Sequence, residues 1–247
     1  MNHADETRIS GRRAYDLTQP LGPRSPRSSD HPEVRFQSLR WRSRSGNRTS
    51  LLTTSVHVGT HVDAPNLYYP QGETIDQVPL ARLCGTAVIL DMTRDDWGEI
   101  SAADLERATP AVEPNDIVVL RTGWHHHYGD EERYILKPPG LTRDAFDWLV
   151  ARQVKLVGAD SPSPEHIFMR ARYWKELRAD IFGGQELDRE RWPASYGHRT
   201  LLREGICLLE GLGGQIDEVV GRRVELVVLP LLLEGVEAAQ ARVVALT

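Results

Sequence analysis

Short apolar β runs interleaved with helical segments predict an α/β chain, a single domain built on a mixed β-sheet or barrel. Three observations lead there. The stretches TAVILDM (86–92), DIVVLR (116–121) and VKLVGAD (154–160) are brief, apolar and rich in β-branched residues. Helical spacing in residues 101–108 and 142–153 falls between them. A hairpin pattern near the N-terminus adds antiparallel pairing, and neither an internal repeat nor a linker interrupts the 247 residues.

Residues 1–13 are polar and are expected to be loose, leaving 14–247 as the domain. AYDLTQPL (14–21) reads as a first strand ending at Pro20. Residues 22–32 (GPRSPRSSDHP) are turn-forming and too poor in apolar side chains to form a core. They are expected to lie over the body or a neighbouring subunit. Residues 34–56 read as two strands around Ser45-Gly46-Asn47, with Arg40, Arg42 and Arg44 alternating along a solvated strand face. Ser101 and Thr142 suit helix N-caps, and the helical stretch 198–205 stops at Gly205. ICLLEGL (206–212), VELVVLPLLL (224–233) and ARVVAL (241–246) supply the remaining strands.

A net charge of −5 gives no general attraction to nucleic acid or to an anionic membrane. The apolar run 224–236 is broken by Glu225, Pro230 and Glu234 and does not read as a span. Cys84 and Cys207 are far apart and form no Cys-x-x-Cys, as suits a reducing compartment. With no signal-peptide pattern at the start, a cytoplasmic protein is expected.

Chemistry concentrates in HVGTHVDAP, which begins at His57. On an extended strand His57 and His61 stand about 13 Å apart, too far for one ion. On a helix the two histidines meet, but Asp63 points elsewhere. A bend at Gly59-Thr60 brings two imidazoles and a carboxylate around a divalent ion. A pair of hydrogen-bonded core histidines beside a turn fits the same spacing.

HVGTHVDAP resembles the His-x-Gly-Thr-His-x-Asp-x-Pro signature of the cyclase-like family, the bacterial kynurenine formamidase and isatin hydrolase group. The likeness runs through YDLTQPL, TIDQVPLARLCGTAVILD, DIVVLRTGW, PGLTRDAFDWLVARQVKLVGADSPS and LPLLLEGVEAAQARVVAL, in that order. It implies a swivelling β/β/α fold, a homodimer or homotetramer, and a zinc or manganese centre of one or two ions per chain. It also implies two more ligands: His198 and Glu210 carry the family's twelve-residue His–Glu spacing. The implied ligand set is therefore His57, His61, Asp63, His198 and Glu210, with Asp63 bridging if two ions bind.

One departure stands out. Two residues beyond Pro65 the family places a histidine, thought to move protons; here the position is Leu67. Glu210, His125 in the triplet after Trp124, and His166 are the candidates to replace it. Leu67, Tyr68 and Trp124 are expected to contact substrate and Thr60 to hold the turn; Trp174, Trp192 and Tyr196 suit either the lining of a cover over the site or the packing face of an amphipathic helix. The expected activity is metal-dependent hydrolysis of a small amide, lactam or lactone. A metal-dependent lyase or a non-catalytic metal-binding homologue uses the same ligands.

Overall fold

The computed structural model describes residues 7–170 and 187–247. Its strands are β1 (Arg8–Ile9), β2 (Arg12–Asp16), β3 (Arg35–Arg40), β4 (Thr49–Thr53), β5 (His61–Asp63), β6 (Gly85–Asp91), β7 (Glu99–Ile100), β8 (Ile117–Arg121), β9 (Gly140–Leu141), β10 (Leu156–Ala159), β11 (Cys207–Glu210), β12 (Arg223–Pro230) and β13 (Ala238–Leu246). The main sheet runs β1-β2-β13-β12-β6-β8-β10-β11-β5, and a further pairing of β13 with β5 closes it into a barrel. β6, β8, β10 and β11 pair in parallel; the contacts of β5, β12 and β13 are antiparallel. This is the mixed α/β barrel that the alternating elements predict.

Strand alternation explains why the apolar runs are continuous. Ala87 and Ile89, Ile117 and Val119, Leu156, and Cys207 and Leu209 fill the barrel. Val88 and Leu90, Val118 and Leu120, Val157 and Leu208 face outward into a second apolar layer. Helices α5 (Arg143–Ala151) and α6 (Tyr196–Arg203) cover that layer with Phe146, Leu149, Leu201 and Leu202. A strand buried on both faces has no polar side to display.

The smaller helices are α1 (Arg42–Ser45), α2 (Leu80–Leu83), α3 (Ala102–Arg107) and α4 (Glu131–Leu136). Ser101 caps α3 in a capping box with Asp104. Thr142 occupies the N-cap position of α5, but its hydroxyl bonds Asp144 and the Ile100 carbonyl instead of the helix N–H groups.

Four local expectations change. Within the segment expected to be loose, β1 pairs with β2, and Arg13 exchanges backbone hydrogen bonds with Thr247. The first strand stops at Asp16, whose carboxylate accepts from the Thr18 N–H at 3.1 Å and turns the chain. Arg42 and Arg44 sit on the helical turn α1, closed by Gly46 at φ 74°, and not on a strand face. β12 ends at Pro230, leaving Leu231–Leu233 outside it, because proline lacks the N–H a ladder needs.

Candidate metal centre

The centre forms where β5 and β11 end side by side. In their antiparallel register Glu210 lies opposite His61, and Leu208 opposite Asp63. Val62 and Leu209 point into the barrel, so His61, Asp63 and Glu210 share the opposite face. α6, packed on that face, adds His198. His57 precedes the strand, and the bend expected at Gly59 is present, with φ at +82°. A side chain at Gly59 would strain that backbone and meet Leu21 at 3.2 Å. Thr60 holds the turn: its hydroxyl donates to the Gly211 carbonyl at 2.6 Å and accepts from the Gln19 N–H at 2.9 Å.

These residues form two triads that share Asp63: His57, His61 and Asp63, and then Asp63, His198 and Glu210. His61 Nε2 lies 3.4 Å from both Asp63 Oδ1 and Glu210 Oε2. His198 Nε2 lies 3.4 Å from Glu210 Oε1 and 3.8 Å from Asp63 Oδ2. His57 Nδ1 lies 3.0 Å from Asp63 Oδ1, and its Nε2 lies 3.0 Å from Glu237. His61 and Glu210 are each 4% exposed and Asp63 1%, so these charges are almost wholly withdrawn from water.

Two features suit the cluster to a cation. His61 Nδ1–H donates to the Gly59 carbonyl at 2.9 Å, and His198 Nδ1–H to Glu165 at 2.9 Å, so each ring turns Nε2 inward. In addition, His61 Nε2, Asp63 Oδ1 and Glu210 Oε1 are buried without a well-directed hydrogen bond, the 3.0 Å approach of His57 Nδ1 to Asp63 Oδ1 being an ion-pair contact. Buried polar atoms left unmatched cost free energy, and a divalent ion would match all three. The electrostatics agree. Burial opposes a charge on His57, yet Asp63, Glu237 and Glu210 outweigh it and push its pKa up to about 9. Burial likewise opposes charge on His198 and Glu210, but Glu165 and Glu210 raise His198, while His198 and His61 hold Glu210 well below the usual carboxylate value. The carboxylate cage calls for positive charge, from protons or from a metal.

A cavity of about 250 Å³ opens over the cluster. Leu67 and Tyr68 line it, and Tyr68 donates to Ser195 Oγ at 2.9 Å. Residues 22–32 lie over the body of their own chain, where Pro26, Arg27, Ser28 and His31 form part of the cavity wall. The His31 ring stacks on His57 with centroids 5.8 Å apart.

Other candidates do not reach the cavity. His125 is turned to Asp160 at 2.7 Å and Asp217 at 3.3 Å. Trp124 is buried, its indole N–H donating to the Tyr134 carbonyl at 3.0 Å. His166 is wholly buried between the Trp97 carbonyl, 2.9 Å from Nε2, and the face of Trp192, 4.4 Å away. Trp192 belongs to the outer apolar layer, and Tyr196 donates to Asp147. Trp174 lies outside the described residues. For His125, Trp124, His166 and Tyr196 a neighbour in the fold, unreadable from local pattern, takes the polar atom. Conversely, Glu165, Glu237, His31 and Tyr134 were not anticipated; Glu165 lies one residue from the histidine that drew attention.

Burial is the first cause holding His166 at a pKa of about 4, against 6.5 in its ordinary state. The unfolded chain therefore takes up this proton first. The contribution of neutral His166 is fully present above 6.5 and is lost as pH falls toward 4, by about 3 kcal/mol. Urea unfolding across that range is expected to show the slope in the wild type and a shallower one in His166→Gln; equal slopes would refute the assignment.

The Cyclase family model matches residues 15–166. A kynurenine formamidase from Erythrobacter litoralis (strain HTCC2594) is 30% identical over 237 residues, covering 95% of this chain and 94% of that protein. The chain belongs to the cyclase family. Among solved structures of similar fold, isatin hydrolase A from Labrenzia aggregata bound to benzyl benzoate has a TM-score of 0.78 at 21% identity, covering 96% of this chain and 94% of that one. An isatin hydrolase bound to the product analogue thioisatinate has a TM-score of 0.76 at 21% identity, covering 95% and 92%. Membership of the cyclase family accords with the barrel and with the motif at its rim.

Proposed function

We propose that this chain is a hydrolase of a small amide, an aryl formamide or a lactam such as isatin, dependent on one or two divalent ions, zinc or manganese, held by His57, His61, Asp63, His198 and Glu210. The observation that carries this reading is the convergence of three unpartnered buried ligand atoms at the floor of a small cavity. The names of the relatives favour the same substrates. Bound there, the ion supplies Lewis acidity toward a carbonyl oxygen and acidifies water. Asp63 lies between the two triads and would be shared if two ions bind. Glu165 fixes the His198 tautomer from one side, and Glu237 holds His57 from the other. Of the three groups expected to move the proton, Glu210 alone lines the cavity; His31 joins it from the arm. Leu67, Tyr68 and the arm restrict the cavity to a small molecule. Turnover of isatin and of the formamide of kynurenine, with and without added metal, tests the reading; no hydrolysis of either by the metal-loaded chain would favour a lyase acting at the same ligands.

We further place the enzyme in the cytoplasm as a homodimer or homotetramer, without nucleic-acid or membrane partners. Cys84 and Cys207 are unpaired, and among the described residues no helix is long and apolar enough to cross a membrane. Among the described residues the β3–β4 hairpin pairs only with itself, and it exposes Phe36, Leu39, Trp41, Leu51 and Leu52. A lone two-stranded hairpin is marginal in water, and a second subunit would cover this one. Light scattering at micromolar concentration is expected to give at least twice the 27.8 kDa chain mass, with Trp41→Asp shifting it toward one chain. A wild-type mass of one chain would reject the assembly.

A further inference from the structure

The histidine triplet is not used by the centre described above, yet it makes a cluster of its own. His125 and His126 lie on a 3-10 turn after β8 (Trp124–His127), and Asp217 lies on another before β12 (Ile216–Glu218). One carboxylate oxygen, Asp217 Oδ2, stands 2.8 Å from His126 Nε2 and 3.3 Å from His125 Nε2. The other, Oδ1, is gripped by Arg121, whose Nε lies at 2.7 Å and Nη2 at 2.6 Å.

The tautomer of His125 is set from behind. Asp160 is wholly buried, and its carboxylate already accepts from the Thr122 and Gly123 N–H groups. His125 Nδ1 reaches it at 2.7 Å and must donate. In the neutral ring Nε2 then carries a lone pair, and that lone pair faces Asp217. Two acceptors do not attract each other; a cation between them removes the conflict. Ligands of a tetrahedral zinc ion sit roughly 3.3 Å apart at Zn–N distances of about 2.0–2.1 Å, close to the spacings seen here.

From this geometry we propose a second divalent-metal site, formed by His125 Nε2, His126 Nε2 and Asp217 Oδ2. Asp160 orients the first ligand and Arg121 the third, in the manner of carboxylate–histidine–metal arrangements. Two imidazoles and one carboxylate suit zinc above magnesium or calcium. The carboxylates of Asp160 and Asp217 offset the ion's charge beside Arg121, and half-exposed His126 leaves the site open to solvent. The ion ties the turn after β8 to the turn before β12, so it stabilises the barrel rim and takes no part in the cavity's chemistry. None of its three ligands lines that cavity.

The rival account is a protonated histidine pair balanced by Asp217, with no metal. Zinc titration of metal-free protein separates the two. A His61→Ala background weakens the main centre without touching this cluster. In that background, zinc is expected to bind with one more equivalent, and to raise the thermal midpoint more, than in the same protein also carrying His126→Gln. The affinity of that equivalent should weaken at least 10-fold on the added substitution. Histidine side-chain NMR should show His125 and His126 Nε2 moving together on zinc addition. Identical isotherms and midpoints with and without His126→Gln, or zinc-insensitive Nε2 signals, would overturn the site in favour of the protonated pair.

Discussion

Replacing His61 by alanine is expected to strip most of the divalent ion from the main centre and to lower hydrolysis by a factor on the order of 10³ or more. Groups that act as a unit lose most of their effect when one is removed. His61 stands at the junction of the unit: its Nε2 lies 3.4 Å from both Asp63 and Glu210, and its other nitrogen is committed to Gly59. No neighbouring described side chain duplicates that placement. Alanine would also leave the buried Asp63 and Glu210 carboxylates closer to uncompensated, so the variant is expected to be less stable than the wild type. Elemental analysis beside turnover is the measurement. Full retention of metal in His61→Ala would remove this histidine from the ligand set.

Leu67→His is expected to accelerate hydrolysis of the kynurenine formamide, by up to ~10²-fold. General acid–base assistance is typically worth ~10²–10⁴-fold, and a histidine inserted without an evolved partner recovers the lower part of that range. The position is right for it. Leu67 follows Pro65 at the end of the short turn that leaves β5, and its side chain forms part of the cavity wall above the ligands. As leucine it presents an apolar face there, and on the proposed reading proton transfer would fall to Glu210 or His31, which line the same cavity. Comparison at equal metal occupancy separates the chemical effect from a change in loading. Brisk wild-type turnover that falls on the substitution would show that the existing groups suffice, and His31→Gln and Glu210→Gln would then identify which one acts.

Much of this centre was legible before folding. The bend at Gly59 followed from the failure of both strand and helix to gather His57, His61 and Asp63, and the backbone adopts it with positive φ. Glu210 was conspicuous as a carboxylate closing the apolar run Ile206–Leu209, and it lies buried among histidines. The distant pairing of His198 with that strand came from family spacing, and α6 places it there. By contrast, His125, Trp124 and His166 carried suitable chemistry in suggestive sequence but were claimed by Asp160, the Tyr134 carbonyl and the Trp97 carbonyl.

The division has a physical basis. Periodicity, breakers and ligand chemistry are local properties, so the amino-acid order alone determined the central strands, the bend and the candidate metal-binding motif, but not the ends of the outer strands. Which side chains share a cavity depends on barrel closure, which joins β5 to both β11 and β13 and sets Glu237 against His57. Pro26, Arg27, Ser28 and His31 meet the same cavity from the arm, and Glu165 meets His198 across the fold. These contacts span tens to nearly two hundred residues and leave no periodic trace, so only the tertiary structure decided them.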